Sequence, residues 1–426
     1  MPPKLPEQPK ISPARVAAFG VLERVGISSE HSDDLLHGRR LAGLSQVDRN
    51  LANALVLGVL RWQIALDARL RPLLKRPDLK MPSAVEIALR MGAFQLLYFE
   101  RVPEHAALSE SVELVRAAGQ PQAAGMVNAV LRGLTRQAPV RKSLVETPAG
   151  MAERLAHPRW IVERWVDGYG WAAAITLCEA DQKEPSKVAS IYDAGADEGG
   201  SAMDEGSRLV ADLTAVAGEG AKRVWDCCAA PGGKTRVLVE KLPGAEVLAT
   251  DVSPRRLKAM SERLGAERMG DGSRVRTLVA DATELPEGEG KFDLILCDAP
   301  CSGTGTLGRN PEIRHRLKVE DLGRQAERQR RLLEKAIGRL AVGGRVVYST
   351  CSLEPEENER VVEAVLAAGA PVRRVEVGPL LDRLKECGVV SSAAELGGLV
   401  KDGCLRTLPG VNFQGDGFFA AVLERV

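Results

Sequence analysis

Two cysteines stand where an apolar run gives way to a turn: Cys301 in "DAPCSGTGT" and Cys351 in "GGRVVYSTCSLEPEENE". A thiolate is a strong nucleophile, so a cysteine at a strand end facing a cleft could add covalently to an electrophilic carbon. A cysteine is also commonly a small, inert, buried hydrophobe, and for either residue alone the two readings balance. Cys178, Cys227, Cys297, Cys387 and Cys404 read as inert, Cys297 as strand core. Cys301 differs because "PCSGTGT" is a turn that neither strand nor helix favours.

Acidic residues and glycines occupy similar positions upstream. "DCCAAPGGKT" (226–235) joins an apolar run to a helical stretch. Its glycines permit close backbone approach to a ligand, the helix start favours an anion, and Lys234 adds a positive charge. A phosphate-binding P-loop is the rival, with "FDLILCD" as its acidic strand. That pattern needs glycine where Cys228 stands, and Pro231 removes a backbone donor. Asp251 in "LATDVSPRRL", Asp281 in "LVADATELP" and Asp298 in "ILCDAPCSGTG" each end an apolar run. A carboxylate after the second strand can accept both ribose hydroxyls; Asp251 could equally cap the helix starting near Pro254. Asp281 would lie within reach of an adenine edge. Three such acids after a glycine-rich first turn point to an adenosyl cofactor.

The elements that must position these residues fall into two periods. Over 12–138 apolar residues recur at helical spacing, as in Ala18, Val21, Leu22, Val25 and in Leu55, Gly58, Val59, Trp62. The same spacing recurs at Leu108, Ser111, Val112, Val115 and at Val127, Val130, Leu131, Leu134. "MPSAVEIALRMGAFQLLYF" predicts a further, buried helix, so this part is an all-α bundle. Residues 1–11 read as a flexible N-terminus, 139–150 as a linker, and 193–206 as an acidic loop. From 222 to 426 short apolar runs ("RVWDCC", "AEVLATD", "RVRTLVAD", "FDLILCDAP", "GRVVYST") alternate with helices. That alternation predicts a mostly parallel, doubly wound α/β sheet, with "VRRVEV" and "GFFAAVLERV" as final strands. Ligands of such sheets bind beyond the carboxyl ends of the strands. If the fourth and fifth strands are neighbours, they lie about 5 Å apart and both cysteines face one cleft.

The 426 residues, 45% hydrophobic and 27% charged, describe a globular protein of two or three domains. No apolar run approaches a membrane span and no signal peptide is evident, so a cytoplasmic, membrane-free protein is expected. Eight cysteines without a C-x-x-C pair, and five histidines, argue against a disulfide scaffold and a structural metal site. Residues 1–150 hold 20 Lys+Arg against 14 Asp+Glu, or +6, which leaves −5 for the rest. A basic helical part suits a nucleic-acid phosphate surface as well as a plain solvated one.

Taken together, "DCCAAPGGKT", "DVSPRRL", "DAPCSGTGTLGRNPEIRHRL", "YSTCSLEPEENE" and "GDGFFAAVLERV" resemble the Sun/Fmu-type RNA (cytosine-5) methyltransferases. "DRNLANALVLGVLRW" and "MVNAVLRGL" resemble a NusB-like RNA-binding domain, which within the family implies the bacterial 16S rRNA branch. The resemblance implies a NusB-like bundle (12–138) before a class I, Rossmann-like methyltransferase domain (222–426). It implies S-adenosyl-L-methionine held by Cys228, Ala229, Ala230, Pro231, Gly232, Gly233, Lys234, Asp251, Asp281 and Asp298. It further implies Cys351 as nucleophile on C6 of a flipped cytosine, Asp298 contacting the base near N3, and Cys301 aiding proton removal or product release. The implied partner is RNA, with 16S rRNA expected and tRNA or another RNA the alternative; a monomer without metal is expected. Between "WIVERW" and "DCCAAPGG" the chain is shorter than the family pattern, so 151–221 reads as a reduced intermediate subdomain. A decayed RNA-binding scaffold is the alternative from another class. The glutamates after Cys351 are expected in the first turn of a helix, where negative charge suits the dipole.

Overall fold

The computed structural model describes residues 11–28, 30–100, 102–137, 147–183, 191–192, 203–266 and 274–426. The expected flexible residues 1–10, linker residues 139–146 and acidic residues 193–202 lie outside them. The chain divides into two compact units: residues up to 184 together with Leu307–Arg316, and 185–306 together with 317–426.

The first unit is helical. Helices Pro13–Ile27, Gln46–Leu70, Ser83–Tyr98, Glu104–Ala117 and Ala124–Thr135 bury the apolar stripes read from the sequence, including Leu22, Leu55, Val59, Leu89, Val115 and Leu131. Gly58 belongs to its stripe because a Cβ there would lie 1.9 Å from the Phe94 ring, so glycine lets two helices approach closely. Ser45 caps the second of these helices by accepting from Asp48 N at 3.1 Å. Over Gln46–Leu73 this stretch is long and apolar enough to cross a membrane by length and composition, contrary to the sequence expectation, yet Ala52, Leu55, Val56, Val59, Leu60, Leu66 and Leu70 are built into the bundle core. Shorter helices Pro148–Arg154, Arg159–Tyr169 and Trp171–Ala180 follow, with no strand among the described residues from 147 to 222.

Leu307–Arg316, which follows the Cys301 turn in sequence, belongs to this helical unit. Arg314 is buried and donates to the carbonyls of Arg61, Ala156 and Leu307 at 3.1–3.2 Å. Glu312 accepts from Ser32 N at 3.1 Å, Ser32 Oγ at 2.7 Å and His31 Nδ1 at 3.0 Å. Arg316 donates to Val25 O and Glu30 O.

The second unit is built on one sheet, nine-stranded among the described residues: β1 Arg223–Asp226, β2 Glu246–Asp251, β3 Arg274–Val279, β4 Phe292–Asp298, β5 Leu340–Thr350, β6 Val372–Val375, β7 Val400–Lys401, β8 Cys404–Arg406 and β9 Phe419–Arg425. Their order is β3-β2-β1-β4-β5-β9-β8-β7, with β6 also pairing β9. The first five run parallel and the rest join antiparallel. The order reverses direction between β1 and β4, and ligand crevices open beside such switch points. Helices Gly233–Lys241, Pro254–Ala266 and Val319–Gly338 follow β1, β2 and the β4 turn as the sequence predicts. Leu294, Leu296, Val347, Ala420 and Val422 pack one face of the sheet and Ile295, Cys297, Val346, Tyr348 and Ala421 the other. Both faces are covered, so these strands read as continuous apolar runs.

Candidate active site

β4 and β5 are paired in register through Asp298 opposite Ser349, so their carboxyl ends deliver the two cysteines to one place. Cys301 Sγ and Cys351 Sγ lie 3.4 Å apart as free thiols, each half-buried. Gly305 N donates to Cys351 O at 2.9 Å, which closes the Cys301 turn against the end of β5. The Cys301 thiol is pushed well above the ordinary thiol range by its hydrogen bond to Cys351, by burial, and by the charges of Cys351 and Glu357. A sulfur pair this close shares protons, and the negative form of one disfavours the negative form of the other.

Beside them, Asp298 at the end of β4 receives two donors. Lys234 Nζ bonds Oδ2 at 2.8 Å and Ser349 Oγ donates to Oδ1 at 2.7 Å. Burial pulls the Lys234 ammonium down, but the charge and hydrogen bond of Asp298, with the charges of Cys351 and Asp226, outweigh it and raise it. Lys234 lies one residue into the helix Gly233–Lys241, whose N-cap Gly232 has φ +103°. Only glycine adopts that backbone freely, and a Cβ there would also lie 2.6 Å from Met260 Cγ. The glycine thus lets the helix begin immediately after Pro231 and brings Lys234 to Asp298.

Asp251 is buried at the end of β2; its Oδ1 accepts from Ser253 N at 2.8 Å, and Arg256 stands 3.7 Å from Oδ2. Asp251 thus closes the turn before the helix Pro254–Ala266, whose first turn is capped by Ser253 Oγ accepting from Arg256 N at 3.4 Å. Arg256 also donates to Ala230 O at 2.6 Å, and Ala229 N donates to Thr250 O at 2.8 Å, so the 228–234 loop is fastened to the end of β2. Asp281 is exposed and caps its own turn, accepting from Thr283 N at 2.8 Å and Thr283 Oγ1 at 2.7 Å. Those two bonds hold its carboxyl below the usual range. Lys234, Asp298 and Ser349 form one bonded group and the two cysteines another, linked by the charge of Cys351 acting on Lys234, whereas Asp251 and Asp281 are tied to their own turns.

Two residues that the sequence reading passed over belong here. Asp226 ends β1 and is buried; Thr235 Oγ1 donates to Oδ2 at 2.7 Å, while no donor meets Oδ1 in hydrogen-bond geometry and the nearby Cys228 backbone acts on the carboxylate only weakly. Burial pushes it up to about 7, with the charge of Asp298 adding and Thr235, Lys234 and the Cys228 backbone opposing. Its position at a strand end, like Asp251 and Asp298, was the available signal. Glu357 is fully buried and accepts four donors, described below. The glutamates after Cys351 do not share one helical turn. Glu354 precedes a short 3-10 turn Pro355–Glu357, Glu356 pairs with Arg360, and only Glu359 starts the helix Glu359–Ala367. Hydrogen-bond donors, rather than the helix dipole, account for Glu357.

Among the described residues no cluster of three or more His, Cys, Asp or Glu is poised to hold a metal. The cluster can instead do thiolate chemistry next to a cation–carboxylate pair.

Residues 213–424 match the family described as 16S rRNA methyltransferase RsmB/F, and residues 12–136 match the NusB family. A Bacillus subtilis protein named probable ribosomal RNA small subunit methyltransferase B is 31% identical, over 90% of this chain and 92% of its own. The chain belongs to the RsmB/F family of rRNA methyltransferases. The Pseudomonas syringae ribosomal RNA small subunit methyltransferase B is 35% identical over 78% of this chain and 81% of its own. Among solved structures, one titled crystal structure of PH0851 has the same fold, with a TM-score of 0.76 and 22% identity, covering 97% of this chain and 99% of its own. An RsmB/F chain is an S-adenosylmethionine-dependent enzyme acting on rRNA, and its NusB and methyltransferase parts match the helical and sheet-bearing stretches seen here.

Proposed function

We propose that this enzyme transfers a methyl group from S-adenosylmethionine to C5 of a cytosine in RNA, with 16S rRNA as substrate, through a covalent bond between Cys351 Sγ and C6. Residues 12–138 serve as its RNA-binding domain and 222–426 as its methyltransferase domain. The 3.4 Å separation of the two thiols, at the ends of adjacent parallel strands, carries the reading.

The residues present fit the cofactor. Asp226 keeps a buried, unpartnered carboxylate oxygen beside the 228–234 loop, and Asp251 offers a carboxylate at the end of β2. Cys228 through Lys234, with Asp251, Asp281 and Asp298, would hold it. Bound there, S-adenosylmethionine supplies an electrophilic methyl group on a sulfonium.

Addition requires Cys351 as thiolate, while the raised Cys301 thiol keeps its proton. A target cytosine must leave its stack to reach it. Asp298, oriented by Lys234 and Ser349, contacts the base near N3. Cys351 Sγ would bond to C6, leaving the C5=C6 π pair at C5 free to take the methyl group that the bound cofactor would supply, its S–CH3 bond breaking to leave a neutral thioether. Once Cys351 is a neutral thioether, its hydrogen bond and charge no longer raise the Cys301 thiol, and loss of the Cys301 proton to solvent would free that sulfur as the base. It then accepts the C5 proton, the C5=C6 bond re-forms, and Cys351 departs as thiolate.

Incubation with labelled cofactor and small-subunit rRNA tests this directly. Cys351→Ser abolishes labelling of C5, and Cys301→Ala accumulates a protein–RNA adduct that survives denaturing electrophoresis. Undiminished methylation by Cys351→Ser would sink the assignment.

A further inference from the structure

Each cysteine is followed by a serine, Cys301-Ser302 and Cys351-Ser352, and both serines converge on one buried carboxylate. Glu357 Oε1 accepts from Ser302 N at 2.8 Å and from Gln329 Nε2 at 2.9 Å. Its Oε2 accepts from Ser352 Oγ at 2.5 Å and from Ser302 Oγ. Four donors fill the acceptor sites of a carboxylate, and none of them is a cation. The turn is held from other sides as well. Gln329, from the helix Val319–Gly338, also bonds Pro300 O at 2.9 Å, and Tyr348 Oη donates to Glu357 O at 2.5 Å. Asn358 Nδ2 donates to Ser352 O at 2.8 Å.

We propose that Glu357 is a positioning residue for the two-cysteine centre: its carboxylate clamps the turn after Cys301 to the turn after Cys351, and its charge keeps their shared proton on Cys301. This rests on the reading of Cys351 as the nucleophile. The asymmetry lies in the neighbours. Cys301 is faced by Cys351 at the end of β5, by Glu357 from the following turn and by the Tyr348 phenol from β5, while Gln329 from the helix holds the preceding Pro300 carbonyl. No cation is among these. Lys234, paired with Asp298, instead interacts with the charge of Cys351. Glu357 takes both a backbone and a hydroxyl donor from the residue after Cys301 but only a hydroxyl from the residue after Cys351, whereas the cation Lys234 acts on Cys351, and this imbalance sorts the proton between two otherwise identical side chains.

The experiment is pulsed iodoacetamide labelling of the full chain without RNA across a pH series, with each cysteine quantified by peptide mass spectrometry. In the unsubstituted protein, label enters Cys351 before Cys301. Glu357→Gln keeps the side-chain length but removes the charge, so the Cys301 profile moves toward lower pH by about one unit, or about tenfold faster labelling at a fixed pH below the midpoint. Glu357→Asp keeps the charge on a shorter arm, so Cys301 stays slow while methyl transfer falls. A general loosening of the fold would instead speed both cysteines together, and circular dichroism reports it. The proposal is overturned if Cys301 labels first in the unsubstituted protein. It is equally overturned if folded Glu357→Gln leaves the Cys301 profile unmoved. Should Glu357→Gln not fold, the labelling order and the Glu357→Asp profile decide. Retained methylation by Cys351→Ser would defeat the proposed reaction alone, because the labelling order involves no RNA.

Discussion

Asp226 offers a sharp test of how the strand ends are balanced. It is 1% exposed, one oxygen is satisfied by Thr235 and the other is orphaned, and burial raises it from 3.8 to about 7. An acid whose folded-state value lies above its unfolded value binds its proton more tightly when folded. Stability is therefore fully present below the unfolded value and is lost as pH rises toward the folded one. Between pH 5 and pH 8 those two values imply a loss of about 3 kcal/mol from this one group. Asp226→Asn cannot ionise, so its stability should be nearly flat across that window apart from contributions common to both proteins. The assay is urea unfolding at pH 5, 6, 7 and 8 with hydrogen exchange of the β1 amides, which isolates the sheet-bearing unit. Relative to the unsubstituted chain, Asp226→Asn should gain about 3 kcal/mol on going from pH 5 to pH 8. A difference that stays constant with pH would refute the claim that a buried, ionisable carboxylate is held at this strand end.

Two further substitutions probe the frame. A Cβ at Gly305 would lie 2.2 Å from Gly417 O, backbone that itself donates to Gly305 O at 2.7 Å, so Gly305→Ala should cost about 1–3 kcal/mol by thermal unfolding and impair methyl transfer. Gly323→Ala, in a helix with open space around it, is the control and should stabilise by about 1 kcal/mol. Arg314→Met removes three hydrogen bonds to carbonyls of the helical unit, of which Arg61 O keeps Gln182 Nε2 at 3.3 Å, and should lower stability by about 2–3 kcal/mol, read as faster hydrogen exchange in that unit.

The parts of the molecule that follow a period were legible. The stripe of Leu55, Gly58, Val59 and Trp62 and the run "FDLILCDAP" each announce the element that they form, because burial of one helix face or both sheet faces dictates the pattern. The β7–β8 hairpin gave no such signal, since strands of two and three residues are too short for alternation. Cys301 and Cys351 were legible because a strand end is a position on the chain. Glu357 was not. Four glutamates follow Cys351 within eight residues, and nothing local distinguishes the one that meets Ser302 and Gln329 from those that meet solvent or arginines. Leu307–Arg316 was equally hidden: it is contiguous with the Cys301 turn, yet Glu312, Arg314 and Arg316 spend their charges on residues far earlier in the chain.

The same blindness explains why composition says little about this site. Asp226, Asp298 and Glu357 are all buried or half-buried around the two thiols, with Lys234 as the cation bonded among them. Such a cluster of acids would ordinarily suppress a thiolate. What matters is which acid each sulfur meets. Asp298 is half neutralised by Lys234 at 2.8 Å and turned by Ser349, so its charge is largely spent before it reaches Cys351. The four donors on Glu357 carry no formal charge, so its negative field still reaches Cys301. In the proposed reaction, the difference between a carboxylate paired with a cation and one paired only with neutral donors is what would give two cysteines 3.4 Å apart opposite tasks.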